Sequence, residues 1–243
     1  MLAACLATMA AGVALVGVQA SGVVAGSAEG RYQTASLVFG EATPRRPTGY
    51  RVRIDYMNPN NRRAKPPSVR RVVEVFARGT RVDTGAPARC RATDAELMLR
   101  GRAACPRGSV VGAGFIRVDT GAPGPGRYLN EDVTFLNNTH QLIYLTSDRA
   151  TGARTVVRAR VRDRRVVSQV PLLPGTPPDG AAIDLVRAYF PKLVRMHDGR
   201  RRAYVTTPAH CPARGYWVNR VRFAYDDGTV QVERTANPCS RRR

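Results

Sequence analysis

The cysteines of this chain fall into two close pairs behind an apolar N-terminus. Cys90 is followed by Cys105, and Cys211 by Cys239, while Cys5 lies inside the apolar N-terminal segment. An even set of cysteines behind an export signal is typical of a disulfide framework formed in an oxidising compartment. The spacing favours bridges within each close pair, although crossed pairing stays open from the sequence alone.

A repeated heptapeptide is the second feature that could do chemistry. Arg-Val-Asp-Thr-Gly-Ala-Pro occurs at residues 81–87 and again at 117–123. It contains Val-Asp-Thr-Gly-Ala, the pattern around the paired carboxylates of aspartic proteases, so Asp83 and Asp119 are the candidate dyad of a hydrolase. The two copies lie only 36 residues apart, too close for each to occupy its own protease lobe. The preferred interpretation is that each copy ends a strand and then turns at Asp-Thr-Gly.

Other catalytic and cofactor-binding patterns are missing from the sequence. The histidines, His140, His197 and His210, lack the spacing of metal ligands. No Gly-x-Ser-x-Gly, Gly-x-Gly-x-x-Gly or phosphate-loop motif occurs. We therefore predict no catalytic residue, no metal site and no cofactor.

The N-terminal segment, residues 1–28, contains no charged residue and is rich in Ala, Val, Leu and Gly. Its apolar run matches a signal-peptide core in length, and small-residue cleavage sites follow at Ala20 and Ala28. We predict a signal peptide (or N-terminal anchor) over 1–28 and a single domain over 29–243. That domain is expected to be secreted or extracytoplasmic and associated with the cell envelope, with no stable membrane span in its mature form.

Short alternations of apolar and polar residues, separated by Gly and Pro turns, predict many short β-strands. Candidate strands cover residues 34–39, 49–56, 70–77, 110–119, 132–136, 141–146, 155–162, 183–190, 203–207, 217–225 and 229–234. Residues 93–100 predict a helix, with Thr93 as the N-cap and Glu96 at capping-box spacing. The pattern favours an all-β, antiparallel β-sandwich with one short helix, stapled by two disulfides.

Arginine dominates the charge of the chain. The formal net charge is +21, and the only lysines are Lys65 and Lys192. Residues two apart on a strand share a face, so three predicted strands carry guanidinium rows opposite an apolar face. These rows are Arg51 and Arg53; Arg158, Arg160 and Arg162; and Arg220 and Arg222.

Guanidinium forks suit phosphate, sulfate and carboxylate, so these rows are candidate anion-binding residues. The alternative is an ordinary solvated sheet face whose arginines reflect composition. Because no aromatic residue is interleaved with the rows, base stacking is not supported and nucleic acid is an unlikely partner. The partner that the rows favour is an anionic cell-envelope polymer or an acidic polysaccharide.

Two segments resemble a group of uncharacterised secreted proteins of high-GC actinobacteria. From Cys90 the chain passes through the predicted helix to CPRGSVVG at residues 105–112, similar to their pattern Cys…Cys-Pro-x-x-Ser-x-Val-Gly. Residues 207–211, TPAHC, resemble their Thr-Pro-x-x-Cys strand end. The resemblance covers most of the chain after about Thr34 and implies an exported β-rich domain with both cysteine pairs bridged. It brings no activity, and so no catalytic residue, with it.

Three functions are compatible with these features. The leading hypothesis is a non-catalytic, envelope-associated protein that binds an anionic polymer through its arginine-rich strands. The alternatives are a cell-wall or glycan hydrolase, which needs two carboxylates in one groove, and a purely structural surface domain.

Overall fold

The computed structural model describes residues 30–172, 180–197 and 199–240. The predicted signal peptide, residues 1–28, lies outside the described residues. The strands are β1 (Gln33–Phe39), β2 (Tyr50–Tyr56), β3 (Val69–Val75), β4 (Arg81–Val82), β5 (Val110–Asp119), β6 (Tyr128–Asn138), β7 (Gln141–Asp148), β8 (Arg154–Arg162), β9 (Arg165–Gln169), β10 (Ala182–Phe190), β11 (Val194–His197), β12 (Arg200–Ala203), β13 (Val205–Thr206), β14 (Tyr216–Tyr225) and β15 (Val230–Pro238). The described part also contains the helix α1 (Asp94–Arg100) and 3-10 segments at Gly101–Ala104, Arg107–Ser109 and Gly124–Arg127.

One sheet of eleven strands dominates the described residues. Its order is β1-β2-β10-β5-β6-β7-β8-β9-β3-β14-β15, and every neighbouring pair is antiparallel. The sheet curls into a nearly closed barrel. The predicted sandwich is wrong in this respect, because one sheet folded on itself stands in place of two facing sheets. The coarser prediction, an antiparallel β-rich protein with one short helix and two disulfides, is confirmed.

Side chains join the two end strands of the barrel. An antiparallel sheet with an odd number of strands brings its first and last strands together in the same direction, so β1 and β15 run parallel. Polar residues at alternate positions of β15 bind the backbone of β1. The N–H groups of Leu37 and Phe39 donate to Thr235 Oγ1 (3.1 Å) and Asn237 Oδ1 (2.8 Å), and Asn237 Nδ2 donates to the Leu37 carbonyl (3.1 Å).

The main hydrophobic core lies inside the barrel. Strand β2 shows the underlying alternation, since Tyr50, Val52, Ile54 and Tyr56 are buried. Aromatic rings fill much of the interior, as where the rings of Tyr50 and Phe190 stack with centroids 4.2 Å apart. The arginines between the inward residues of β2 therefore point outward.

A second apolar cluster lies on the outside of the barrel, beneath α1. Leu97 of the helix packs with Leu136, Ile143 and Leu145 on the outer side of β6 and β7. The predicted capping box is confirmed: Thr93 Oγ1 accepts from the Glu96 N–H (3.2 Å), and Glu96 Oε2 accepts from the Thr93 N–H (2.7 Å). The helix therefore covers an apolar patch of the outer surface.

Both predicted disulfides are present. The Cα atoms of Cys90 and Cys105 lie 4.9 Å apart, and those of Cys211 and Cys239 lie 5.7 Å apart. The first bridge staples the segment that carries α1, and the second joins the end of β15 to the segment before β14. Structural disulfides of this kind are typical of oxidising, extracytoplasmic compartments.

No helix in the described ranges is long and apolar enough to cross a membrane.

Candidate functional site

Four of the seven predicted arginines share one outer surface of the barrel. Strands β8, β9, β3, β14 and β15 are consecutive neighbours in the sheet. Arg160 and Arg162 on β8, and Arg220 and Arg222 on β14, are exposed, and the residues between them on each strand are buried. All four side chains therefore leave the barrel on the same side of these five strands.

Strand register adds three further arginines to this surface. One cross-strand row reads Arg162–Arg165–Val75–Arg220–Arg234, a second reads Arg160–Val167–Val73–Arg222–Val232, and a third reads Gln169–Arg71–Ala224–Val230. We call the exposed arginines of these rows the arginine face; they are Arg71, Arg160, Arg162, Arg165, Arg220, Arg222 and Arg234. Five strands at about 4.8 Å spacing make the face about 19 Å wide.

The arginine face lacks compensating acidic groups. None of its seven arginines forms an ion pair with a carboxylate among the described residues. On the same strands, Glu74 lines the barrel interior, and Glu233 accepts from Gln33 Nε2 at the seam between β1 and β15 (3.4 Å). Asp163 lies in the turn between β8 and β9, at the edge of the face. The face therefore presents seven arginines without a paired carboxylate among the described residues.

Arginine side chains on this face oppose each other directly. Arg162 is the cross-strand partner of Arg165, and Arg220 is the partner of Arg234. Like charges at directly opposed positions of an antiparallel pair destabilise the sheet. A multivalent anion that bridged these pairs would remove the repulsion and use the guanidinium N–H groups as donors.

Arg158 does not belong to the arginine face, although it lies on β8. Its Nε donates to Asp94 Oδ1 (2.7 Å), and its Nη2 donates to the Ala92 carbonyl (2.8 Å). Arg154, earlier on the same strand, donates from Nη1 to the Met98 carbonyl (2.9 Å). Both arginines hold α1 and the chain before it against the barrel, and Arg158 is a structural contact.

Arg51 and Arg53 lie on β2, beyond β1 and the seam from the arginine face. Arg53 makes a bidentate ion pair with Asp55: its Nε donates to Oδ2 (2.7 Å), and its Nη2 donates to Oδ1 (2.9 Å). That hydrogen-bonded carboxylate raises the pKa of Arg53. Arg51 lies over the ring of Tyr189, 5.5 Å from its centroid. These two arginines already have partners on the protein, so the structure separates them from the face.

Three arginines of the face, Arg71, Arg165 and Arg234, were not recognised from the sequence. Arg165 opens a five-residue strand, β9, that the sequence analysis did not predict. Arg234 ended a predicted strand and continued its outward alternation, which was a usable signal. Arg71 lies in the run Arg70-Arg71-Val72-Val73, which gives each face of the strand one arginine and one valine, so alternation does not decide which face points outward.

Both copies of the repeated heptapeptide form the same side-chain hydrogen bond. Asp83 Oδ1 accepts from the Gly85 N–H and Asp119 Oδ1 accepts from the Gly121 N–H, both at 2.9 Å. An arginine binds each carboxylate through Nε and Nη2, Arg202 at Asp83 and Arg127 at Asp119. The backbones differ. In the first copy the Ala86 N–H donates to the Asp83 carbonyl (3.1 Å) and closes the predicted turn, whereas in the second the Thr120 N–H donates to the Arg127 carbonyl (2.8 Å).

Asp83 and Asp119 do not approach each other. Asp119 pairs with Tyr128, the first residue of β6. Asp83 lies near the other end of the same strand, because the carbonyl of its neighbour Thr84 accepts from the side chain of Asn137. The strand between them has 11 residues. At about 3.3 Å per residue the two carboxylates lie roughly 30 Å apart. They form no dyad, and each is neutralised by its own arginine.

Comparisons with protein-family models, with curated proteins and with solved structures gave no match.

Proposed function

We propose that this protein is a non-catalytic, extracytoplasmic protein that binds an anionic polymer of the cell envelope, such as an acidic polysaccharide, through the arginine face. The observation that carries the proposal is the grouping of seven exposed arginines, none paired with a carboxylate in the described part of the chain, on five adjacent strands. The two disulfides support a location in an oxidising compartment.

The face suits a long ligand better than a small one. It is a surface of cross-strand rows about 19 Å wide rather than a pocket. Sulfate, phosphate and carboxylate groups spaced along a polymer would each meet one or two guanidinium forks. Affinity should therefore build up over many similar contacts, and no single arginine should be essential.

The side chains between the arginines favour an acidic polymer over a nucleic acid. The three rows contain Val73, Val75, Val167, Val230 and Val232, with Ala224 and Gln169, and no aromatic residue. Stacking of bases on aromatic rings is the usual sequence-tolerant contribution to single-strand binding, and this surface does not provide it.

The test uses two variants with the same net charge. The face variant carries Arg160→Ser, Arg162→Ser, Arg220→Ser and Arg222→Ser. The control variant carries Arg62→Ser, Arg91→Ser, Arg102→Ser and Arg107→Ser, which are exposed arginines on other parts of the molecule. Each oxidised protein is titrated with isolated anionic cell-wall polymer, with heparin and with duplex DNA.

We expect the face variant to bind the wall polymer or heparin at least about tenfold more weakly than the control variant. The wild-type protein should prefer one of these polymers to DNA. Equal weakening by both variants would contradict the proposal, because binding would then depend on net charge alone. In that case the structural-domain hypothesis takes precedence.

A further inference from the structure

The barrel is filled at one end and hollow at the other. On β8 the inward residues Ala159 and Val161 are buried, whereas Thr155 and Val157 keep accessible surface although they face the same interior. Ile116 on β5 and Ile183 on β10 behave like Thr155 and Val157. The surface that these residues retain lies inside the barrel.

This hollow end forms a cavity of about 100 Å³ that is open to solvent on one side. Its walls are almost entirely apolar, with residues such as Val52, Ile54, Val157, Val186 and Phe190. A closed sheet is an established way to hold one small ligand, and an apolar cavity of about 150 Å³ takes up benzene. This cavity is smaller but open, so it suits a short, narrow hydrocarbon chain that can extend through the opening.

One carboxyl group, that of Glu74, lies at the inner end of the cavity. Its cross-strand neighbours Val166 and Val221 are buried core residues, whereas the cavity opens away from them past Ser168 and Val170. Glu74 makes no hydrogen bond or ion pair in the described part of the chain, and its Oε2 atom is buried without a partner. A buried polar atom without a hydrogen-bond partner destabilises the folded state. The Oε2 atom of Glu74 is therefore an acceptor available to a ligand in the cavity.

Other polar atoms line the wall. Thr146 Oγ1 is also buried without a partner. The Tyr144 hydroxyl, in contrast, is bound to Ser168 Oγ at 2.9 Å. A second carboxyl group, that of Glu131, also lines the cavity, and burial raises its pKa. Glu74 differs from it in having an oxygen that is buried without a partner.

We propose that the barrel interior binds a small amphiphile with a short hydrocarbon body and a hydrogen-bond donor at one end, an alcohol or an amine, with the donor directed at the Glu74 carboxyl. The apolar walls take the hydrocarbon, and the donor completes the unpartnered acceptor. A ligand with a carboxylate head is disfavoured, because it would place a second acceptor and a like charge against Glu74. This site is independent of the arginine face.

The charge state of Glu74 decides whether the site favours an amine or an alcohol. Burial raises the pKa of Glu74 to about 7. Tyr50, Tyr56, Tyr144 and Tyr204 interact with it, and burial raises the pKa of each, so they stay neutral at pH 8. Glu131 is the other carboxyl group on the cavity wall, and burial raises its pKa as well. At pH 8 the carboxylate form of Glu74 predominates and would pair with an ammonium group.

The test titrates the full-length, oxidised protein at pH 8 with hexan-1-ol, hexylamine and hexanoate by calorimetry. Val157→Phe fills the cavity from β8. Val73→Phe makes the same change on the outer side of β3, next to Glu74, and serves as its control. Glu74→Gln keeps the shape and removes the charge. Thermal unfolding and far-ultraviolet circular dichroism check that each variant is folded.

We expect saturable 1:1 binding of hexan-1-ol and hexylamine to the wild-type and Val73→Phe proteins, and at least about tenfold weaker binding to Val157→Phe. Glu74→Gln should weaken hexylamine more than hexan-1-ol, because only the amine loses a charged partner. Absence of saturable binding of both probes to the wild-type protein would overturn the proposal, as would equal affinities in a folded Val157→Phe variant. If Val157→Phe does not fold, unchanged affinities in Glu74→Gln overturn it.

Discussion

At the scale of single residues, this protein holds its carboxylates in two contrasting ways. Asp83 and Asp119 are each bound by an arginine and by a backbone N–H within a turn. Glu74 is the opposite case, since its Oε2 atom is buried without a partner among the described residues. The first arrangement stabilises the folded state, and the second leaves a group whose ionisation works against folding.

The Glu74 carboxyl predicts a specific dependence of stability on pH. Its pKa is raised from 4.5 to about 7, so between these pH values the folded state binds more protons than the unfolded state. The free energy of unfolding therefore falls as pH rises through this window and levels off above it, by on the order of 3 kcal/mol for this group. Glu74→Gln should remove that fall and be more stable than the wild type at pH 8.

Denaturant unfolding of both proteins from pH 4.5 to 8.5 measures this effect. Glu131→Gln is measured in parallel, because burial also raises the pKa of Glu131 and gives a slope of the same sign that must be separated from that of Glu74. Parallel stability curves for the wild type and Glu74→Gln would show that Glu74 ionises normally and would contradict the prediction.

At the scale of elements, side chains rather than backbone pairing close the barrel at its seam. Asn219 on β14 contributes from inside: its Oδ1 accepts from the Ala77 N–H (2.7 Å), and its Nδ2 donates to the Leu37 carbonyl (2.8 Å). Asn237 on β15 reaches the same carbonyl. The end strand β1 pairs with β2 through its backbone on one side and is joined to β14 and β15 on the other side by buried amide side chains.

Asn219→Ala should destabilise the protein by about 2 kcal/mol or more, because it leaves a buried N–H without its acceptor and weakens the anchoring of Leu37. Asn60→Ala, in an exposed loop, is the matched control and should cost little. Chemical denaturation gives both values, and hydrogen exchange should show earlier opening of β1 in the first variant. Equal stability of the two variants would mean that the seam does not depend on this amide.

Arg158 and Arg160 lie two residues apart on β8 yet have different roles. Arg158→Ala should lower the free energy of unfolding by about 1 kcal/mol, since it loses a hydrogen-bonded ion pair to α1 that is only a quarter exposed on the arginine side. Arg160→Ala should leave stability nearly unchanged and reduce affinity for an anionic polymer. Thermal unfolding measures the stability of both variants, and polymer titration measures their affinity. Loss of stability in Arg160→Ala and loss of affinity in Arg158→Ala would contradict the roles given to these two arginines.

The same elements show what sequence reasoning can and cannot supply. Alternation on β2 and β14 identified the inward and outward residues, and Thr93 with Glu96 located the start of α1 correctly. Strand β9 was missed because the turn before it has no Gly or Asn; Asp163 adopts the positive φ of 53° that this tight turn needs. The predicted sandwich failed for another reason, since alternation is the same in sandwiches and barrels and only long-range pairing distinguishes them.

At the scale of the whole molecule, the closure of the sheet decides which arginines lie on the same surface. The sequence showed three rows without their spatial relation. The sheet order places β8 and β14 on one surface, adds Arg71, Arg165 and Arg234 to it, and leaves Arg51 and Arg53 beyond the seam. Arg158 lies on the right strand but is covered by α1. The seven arginines predicted from the sequence are thus divided between one shared face and positions with partners on the protein.

The salt dependence of polymer binding tests the central claim most directly. Affinities of the wild type, the face variant and the control variant for the anionic wall polymer are measured from low salt to beyond physiological ionic strength, where free surface charges are screened within about 8 Å. We predict that wild-type and control proteins stay bound past physiological salt with the same steep slope, and that the face variant shows a shallower slope and dissociates earlier. Identical slopes for the face and control variants, with binding lost at modest salt in all three proteins, would contradict an arranged anion-binding face.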